Sequence, residues 1–221
     1  MQFRRSFLAA ALVSTLFAES AQREFRVCDP FGNCRVYLSR RPVTVIAQQT
    51  AVWCWAASLA MLFDYYGHPV QQARIVSRYF LAPIPVTGPP WVLTQALNTT
   101  WTDDNGRQFR VRSRITDRYT GSLFQVSDTD VLNALAADQP VFYADATHAM
   151  ILVQADYTNS PFGPYVRAGW AIDPWPLSLG FRQLQPHELQ ATYLAIATVE
   201  DITPSSPAVT DVVSSASFER G

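Results

Sequence analysis

The stretch AQQTAVWCWAASLAMLFDYYGH, residues 47–68, contains the strongest helical pattern in the chain. Apolar residues recur at helical spacing, and Gly67 is a natural residue for the end of a helix. Pro69 follows and prevents continuation, so the pattern predicts a helix over residues 52–66. A cysteine, Cys54, stands between two tryptophans in the first turn of that helix. Such a position calls for either a packing reason or a chemical one.

Outward from this helix, the chain changes from helical to strand-like patterns. Helices are predicted over residues 69–80, 88–100 and 127–140. Alternating apolar patterns predict strands over 108–116, 140–145, 148–157, 165–173 and 193–200, with a brief helical turn over 185–191. Helices that precede an antiparallel sheet indicate an α+β fold.

The composition is that of a globular protein with one domain of ordinary size. The chain has 221 residues, of which 48% are hydrophobic and 16% charged, and its formal net charge is -1. All 17 cationic residues are arginine. Since no long basic run is present, nucleic acid is not an expected partner. We expect a monomer whose partner is a peptide or protein substrate.

The N-terminus has the pattern of a signal peptide. Arg4 and Arg5 precede an apolar stretch over residues 6–18, which has the length of a signal-peptide core and is short for a membrane span. Small residues favour cleavage after Ser20 or Ala21. We therefore expect residues 1–20 to be removed and the product to be secreted or periplasmic, without stable membrane insertion; the alternative is an uncleaved N-terminal anchor.

The three cysteines divide into a pair and a single thiol. Cys28 and Cys34 flank a turn-rich segment in a predicted hairpin over residues 21–42, and an exported protein meets oxidising conditions, so a Cys28–Cys34 disulfide is expected. Cys54 is then left unpaired, and an odd thiol in a secreted chain is intermolecular or reactive. Residues 43–202 form the expected main domain, and the Ser-, Thr- and Pro-rich tail over 203–221 is expected to be disordered.

Cys54 is a candidate nucleophile because the N-terminus of a helix favours a thiolate. A thiolate also needs an imidazole partner, and His148 opens an apolar strand that would hold one rigidly. His68 lies beyond the far end of the Cys54 helix, roughly 20 Å away at ~1.5 Å per residue. His187 lies in a polar turn and is expected at the surface. His148 is therefore the favoured base.

The imidazole in turn needs an orienting group. Asp173 ends the strand that follows the His148 strand, and adjacent antiparallel strands would bring the two side chains together. Asp156, at the other end of the His148 strand, is the weaker candidate. A tetrahedral intermediate also needs N–H donors, which the Cys54 backbone and the side chain of Gln48 or Gln49 would supply.

These residues resemble a known family. A Gln six positions before Cys-Trp-Ala (residues 48–56), then HAMILV from His148, then DPW from Asp173 is similar to the papain-like cysteine peptidases. The similarity is greatest to a bacterial branch that includes leader-cleaving peptidases of bacteriocin exporters and secreted effector peptidases. It covers residues 43–176. The resemblance implies that Cys54 is the nucleophile, His148 the base, Asp173 the orienting group and Gln48, not Gln49, the oxyanion donor.

Two other functions remain compatible with the sequence. An acyl-enzyme captured by an amine would make the protein a transpeptidase or transamidase. A non-catalytic peptide-binding module would use exposed aromatic residues to line a groove, with Trp91, Trp101, Trp170 and Trp175 as candidates. The segment over residues 82–91 is expected to border the cleft, and Trp53 and Trp55 to wall the thiolate. No metal or other cofactor is expected, because the histidines are dispersed.

Overall fold

The computed structural model describes residues 26–121 and 126–202, so the expected signal peptide and C-terminal tail lie outside the described residues. The helices are α1 (Cys54–Tyr65), α2 (Gln72–Phe80), α3 (Pro90–Ala96), α4 (Asp128–Ala136) and a 3-10 helix (Pro186–Leu189). The strands are β1 (Arg26–Cys28), β2 (Asn33–Tyr37), β3 (Thr100–Thr102), β4 (Gln108–Asp117), β5 (Val141–Ala144), β6 (Ala149–Ser160), β7 (Gly163–Asp173), β8 (Gly180–Gln183) and β9 (Tyr193–Asp201).

The nine strands of the described residues form one antiparallel sheet in which the long strand β6 is central. The strand order is β1-β2-β6-β5-β9-β4-β3, and β7 pairs with both β6 and β8. β6 pairs with β5 through its first residues and with β2 through its later ones. Because β7 runs antiparallel to β6, the end of β7 lies beside the beginning of β6.

Helices cover both faces of this sheet. Alternate residues of β5 and β6 point to opposite faces, as the two-residue period of a strand requires. Ala144 and Ile151 pack in the cluster that contains α1, whereas Tyr143 and Leu152 pack in the cluster that contains α4. The α+β fold expected from the sequence, with the Cys54 helix packed on an antiparallel sheet, is confirmed.

The N-terminal hairpin forms as predicted and is joined to the sheet. Cys28 and Cys34 are paired across β1 and β2 and form a disulfide. β2 hydrogen-bonds to β6, so the hairpin extends the sheet that carries the main core. None of the helices within the described residues is long and apolar enough to cross a membrane.

The sequence indicated the end of α1 correctly but not the end of α3. α1 ends in a Schellman motif in which Gly67 (φ +85°) donates to the Asp64 carbonyl and His68 to the Phe63 carbonyl, as its glycine indicated. The helix predicted over 88–100 is wrong at its C-terminal end, because Thr100 pairs with Arg110 and begins β3. Strands β3 and β8 were not predicted, since three or four residues carry too little periodicity.

Candidate active site

Cys54 is the first residue of α1 and is partly exposed at the helix N-terminus. Trp53 is the N-cap residue and has no side-chain capping hydrogen bond. The unpaired N–H groups of the first turn therefore remain close to the Cys54 side chain, where they favour negative charge. Cys54 is also the free cysteine among the described residues, with the other two in the disulfide.

The two tryptophans that flank Cys54 anchor the segment between α2 and α3. The indole N–H of Trp53 donates to the Ile84 carbonyl (2.9 Å), and that of Trp55 to the Val86 carbonyl (3.0 Å). Both indoles pack in the core, with 4% of Trp53 and 2% of Trp55 exposed, and Trp55 also lines the cleft beside Cys54, as expected. The predicted wall is therefore formed by Trp55, and both residues fix a loop that borders the cleft.

His148 is placed by a tight turn between β5 and β6. One carboxylate oxygen of Asp145 accepts hydrogen bonds from the backbone N–H of Thr147 (2.6 Å) and His148 (2.8 Å) and from the Thr147 hydroxyl (2.9 Å). The Asp145 N–H closes the turn on the His148 carbonyl (3.0 Å). This Asx-type turn holds His148 directly before β6, with its side chain in the Cys54 cleft.

Asp173 meets His148 across the β6–β7 pair. The Nε2 atom of His148 lies 2.7 Å from Oδ1 of Asp173, whose side chain is 1% exposed. The structure therefore brings the two residues together as the strand order predicted. Asp156 is excluded as the partner, because Arg35 binds both of its oxygens, at 2.7 and 2.8 Å.

The hydrogen bonds of His148 favour its charged form. Burial of the ring opposes protonation, but the hydrogen bonds to Asp173 and Cys54 and the charges of both groups outweigh it and raise the pKa of His148 to about 9. Since Nε2 faces Asp173, Nδ1 is the ring nitrogen left for Cys54. His148 thus has one ring nitrogen at the Asp173 carboxylate and shares the cleft with Cys54.

A network behind Asp173 was missed by the sequence analysis. Asp173 also accepts hydrogen bonds from the Trp175 N–H (2.8 Å), the Ser178 hydroxyl (2.6 Å) and the Arg182 Nε–H (2.5 Å). Burial alone would raise the pKa of Asp173, but these bonds and that of His148 hold it well below its usual range. Arg182 also binds Glu188 through two nitrogens. Arg182 and Glu188 lie in a weakly patterned segment, and no local signal relates them to Asp173.

Gln48 lies beside the site but does not line the same cleft. Its backbone N–H donates to the Pro174 carbonyl (2.9 Å), and its side-chain Nε2 donates to the Thr50 carbonyl (2.7 Å). It borders an adjacent depression of about 270 Å³ that shares Ala51 and Trp175 with the main cleft. The side chain is buried, and its Oε1 has no hydrogen-bond partner among the described residues. Gln49, the alternative donor, is exposed.

The two remaining histidines lie away from Cys54, His148 and Asp173. His68 is buried, stacks on Phe109, and places its ring nitrogens 3.2 Å from Asp103 and 3.2 Å from Asp201. It is thus a core residue at the end of α1. His187 is exposed in the 3-10 helix, as expected of a surface histidine.

The cleft that contains Cys54 and His148 has a volume of about 660 Å³ and mostly apolar walls. The segment over residues 82–91 borders it through Thr87, Gly88 and Pro90, as predicted. Further lining residues include Leu93, Tyr119, Trp175 and Tyr193. No group of three or more metal-binding side chains was found within residues 26–121 and 126–202.

Of the four tryptophans predicted to line a groove, Trp175 does so. Trp101 is wrong as an exposed aromatic residue: it is 3% exposed, donates to the Ala96 carbonyl and packs on Phe63. Trp91 is 53% exposed and contacts Phe80. Trp170 lies under the guanidinium of Arg35. Trp91, Trp101 and Trp170 therefore do not line the cleft that contains Cys54.

The chain was compared with known protein families, curated proteins and solved structures. Among solved structures, the chain is similar to the peptidase domain of Streptococcus ComA, a bi-functional ABC transporter involved in a quorum sensing pathway, with 13% identity and a TM-score of 0.40, over 72% of this chain and 99% of that chain. No curated protein matches the chain. The model of the Peptidase_C39 like family matches residues 41–178, which include Gln48, Cys54, His148 and Asp173. The chain therefore belongs to the Peptidase_C39 like family, a family of papain-like cysteine peptidases, as the sequence resemblance indicated.

Proposed function

We propose that the protein is an exported cysteine peptidase that hydrolyses peptide bonds through Cys54, His148 and Asp173. The observation that carries the proposal is the 2.7 Å contact between His148 Nε2 and Asp173, with His148 in the same apolar cleft as Cys54. The family match supports the same chemistry. The Cys28–Cys34 disulfide is compatible with a secreted or periplasmic location.

In the proposed reaction, Nδ1 of His148 takes the proton of the Cys54 thiol while Nε2–H donates to Asp173. The thiolate attacks the substrate carbonyl carbon, and the oxyanion accepts hydrogen bonds from the Cys54 backbone N–H and the Gln48 amide. The imidazolium then gives its proton to the leaving amine, which leaves a thioester on Cys54. A water molecule, deprotonated by His148, releases the acid and restores the thiol.

The first test uses no substrate. Iodoacetamide labelling of Cys54, followed by intact mass and peptide mapping across pH, reports whether a thiolate–imidazolium pair exists in the folded protein. We expect labelling to persist well below pH 7 and to be lost, or moved to higher pH, in His148→Ala. A Cys54 that reacts like an ordinary free thiol in both proteins would contradict the proposed role.

The second test addresses turnover. A mixed peptide library incubated with wild type and with Cys54→Ser, and analysed by mass spectrometry, should show new carboxyl termini with the wild type alone. Addition of a free amine distinguishes hydrolysis from transfer, because a transpeptidase would give amine conjugates in place of acids. Equal cleavage by Cys54→Ser would refute the assignment of the nucleophile.

A further inference from the structure

We propose that Arg182 and Glu188 act together as positioning residues for Asp173. Arg182 holds one carboxylate oxygen so that the other faces His148, and Glu188 balances the guanidinium charge so that the assembly stays negative. The inference rests on the proposed function, because it assigns both residues to the site formed by Cys54, His148 and Asp173.

The contacts of Arg182 use every N–H of its guanidinium. Nε donates to Oδ2 of Asp173 (2.5 Å), and the two terminal nitrogens bind the two oxygens of Glu188 (2.7 and 2.6 Å). The other two N–H groups meet the Gln183 carbonyl (3.1 Å) and the Met150 sulfur (3.1 Å). A planar group held at all five donors has one orientation, so the position of Oδ2 is fixed.

The fold places both partners for this contact. β8 pairs with β7 so that Ala171 is opposite Arg182 and Asp173 opposite Gly180, which puts Asp173 and Arg182 diagonally on one face. The 3-10 helix then returns Glu188 to the guanidinium, and a capping box in which the Gln185 N–H donates to Glu188 (2.6 Å) fixes its carboxylate. β8 and the 3-10 helix thus act as a bracket behind the site.

The charges explain why two carboxylates share one arginine. Asp173 alone would favour imidazolium on His148, but an unbalanced guanidinium on Oδ2 would cancel most of that attraction. The ionised Glu188 restores one net negative charge. Its side chain is 7% exposed, that of Arg182 20% and that of Asp173 1%, so solvent screens these charges weakly.

The other titratable groups nearby do not replace this balance. Cys54 of α1 and Asp145 of the turn before β6 lie near His148, and the Asp145 oxygen of that turn is already bound by three donors. His187 and Tyr143 are the other titratable neighbours that interact with Glu188. Neither of those two groups makes a hydrogen bond to Asp173 or Arg182 in the described part of the chain.

The charge role is tested with Glu188→Gln, which keeps the size and one acceptor oxygen. The chain has three histidines, so the titration of His148 is resolvable by NMR of histidine-labelled protein. Wild type should titrate near the value of about 9 that the contacts indicate. A neighbouring charge shifts a pKa by about 1–3 units, and Glu188 acts from behind Arg182, so a downward shift of about one unit is expected.

The matched control is Glu200→Gln on β9, an exposed residue whose nearest arginine nitrogen is 4.0 Å away. It should leave the His148 midpoint unchanged. If Glu188 served only to fasten the 3-10 helix, Glu188→Gln would lower the melting temperature without moving that midpoint, and this result would overturn the charge role.

The orientation role is tested with the double variant Arg182→Met/Glu188→Leu, which removes both charges without leaving one unpaired. The net charge behind His148 is preserved, so its midpoint should move less than it does in Glu188→Gln. The labelling rate of Cys54 at pH 6 should nevertheless fall by about tenfold. Loss of the partner that orients a metal-binding histidine lowers metal affinity or activity by about 10–100-fold, and we take the lower end of that range. A wild-type rate would overturn the orientation role.

Failure of this inference differs from failure of the proposed function. If wild-type Cys54 does not react below pH 7, and Cys54→Ala leaves the His148 midpoint unchanged, the peptidase assignment itself fails. If the wild type shows both effects while Glu188→Gln and the double variant behave like the wild type, the peptidase assignment stands and the positioning pair is refuted.

Discussion

Replacing Asp173 by asparagine exchanges one carboxylate oxygen for an NH2 group and so tests the hydrogen bonds that this side chain accepts. Oδ1 accepts hydrogen bonds from His148 Nε2 (2.7 Å) and the Trp175 N–H (2.8 Å). Oδ2 accepts from the Ser178 hydroxyl (2.6 Å) and the Arg182 Nε–H (2.5 Å). All four partners are donors, whereas an amide offers only one acceptor oxygen. The substitution therefore places an NH2 group against donors whichever way the amide is turned.

Both orientations are unfavourable. With NH2 toward Arg182, a buried guanidinium N–H loses its acceptor. With NH2 toward His148, the imidazole must accept on Nε2 and carry its proton on Nδ1, so Nδ1 cannot take the thiol proton. Breaking a buried charge pair costs about 3–5 kcal/mol of folding stability. The same tautomer error in a serine-protease triad lowers turnover by about 10⁴-fold, and we expect a loss of that order in the orientation that turns NH2 toward His148.

The assay combines urea unfolding with the rate of Cys54 alkylation at pH 6. Asp156→Asn is the matched control: it removes the same charge from the same sheet, but its pair with Arg35 is partly exposed (21% and 50%) and contributes about 1 kcal/mol or less. A folded Asp173→Asn variant whose alkylation rate and free energy of unfolding equal those of Asp156→Asn would refute the reasoning.

Three further predictions follow from particular contacts. The contacts of His148 raise its pKa from 6.5 to about 9 on folding. Its stabilising contribution of about 3 kcal/mol is therefore complete below pH 6.5 and lost as the pH rises through 9. The difference in unfolding free energy between wild type and His148→Ala, measured from about pH 6 to about pH 10, should shrink over that range. A Gly88→Ala methyl would lie 2.5 Å from the Trp55 ring, so we expect about 1–3 kcal/mol of destabilisation and slower Cys54 labelling, and an unchanged melting temperature would contradict the packing. Replacing Cys28 and Cys34 together by serine should cost about 2 kcal/mol, the entropy of opening a short loop, with labelling of Cys54 retained; loss of labelling at a temperature where the variant is folded would instead tie the hairpin to the site.

Local pattern was sufficient for the elements that carry long amphipathic or alternating runs. α1, α4, β4, β6 and β9 were predicted near their observed positions, because each spans enough residues to show its period. In the structure, a capping box between Ser127 and Asp130 marks the start of α4. β3 and β8 escaped prediction because their pairing partners, not their own residues, make them strands.

The candidate site was likewise predicted only in part. The sequence by itself determined the residue types and their order: a thiol at a helix N-terminus, a histidine before an apolar strand, and an aspartate at the end of the next strand. Only the tertiary structure decided that His148 faces Asp173, that Asp156 belongs to Arg35, and that Trp101 is buried. The contacts of Arg182 with Asp173 and with Glu188 could not be predicted from the sequence. Their hydrogen bonds depend on the register of β8 and on the 3-10 helix that follows it. Chemical identity is a property of single residues, whereas the distances that shift a pKa arise from strands far apart in the chain.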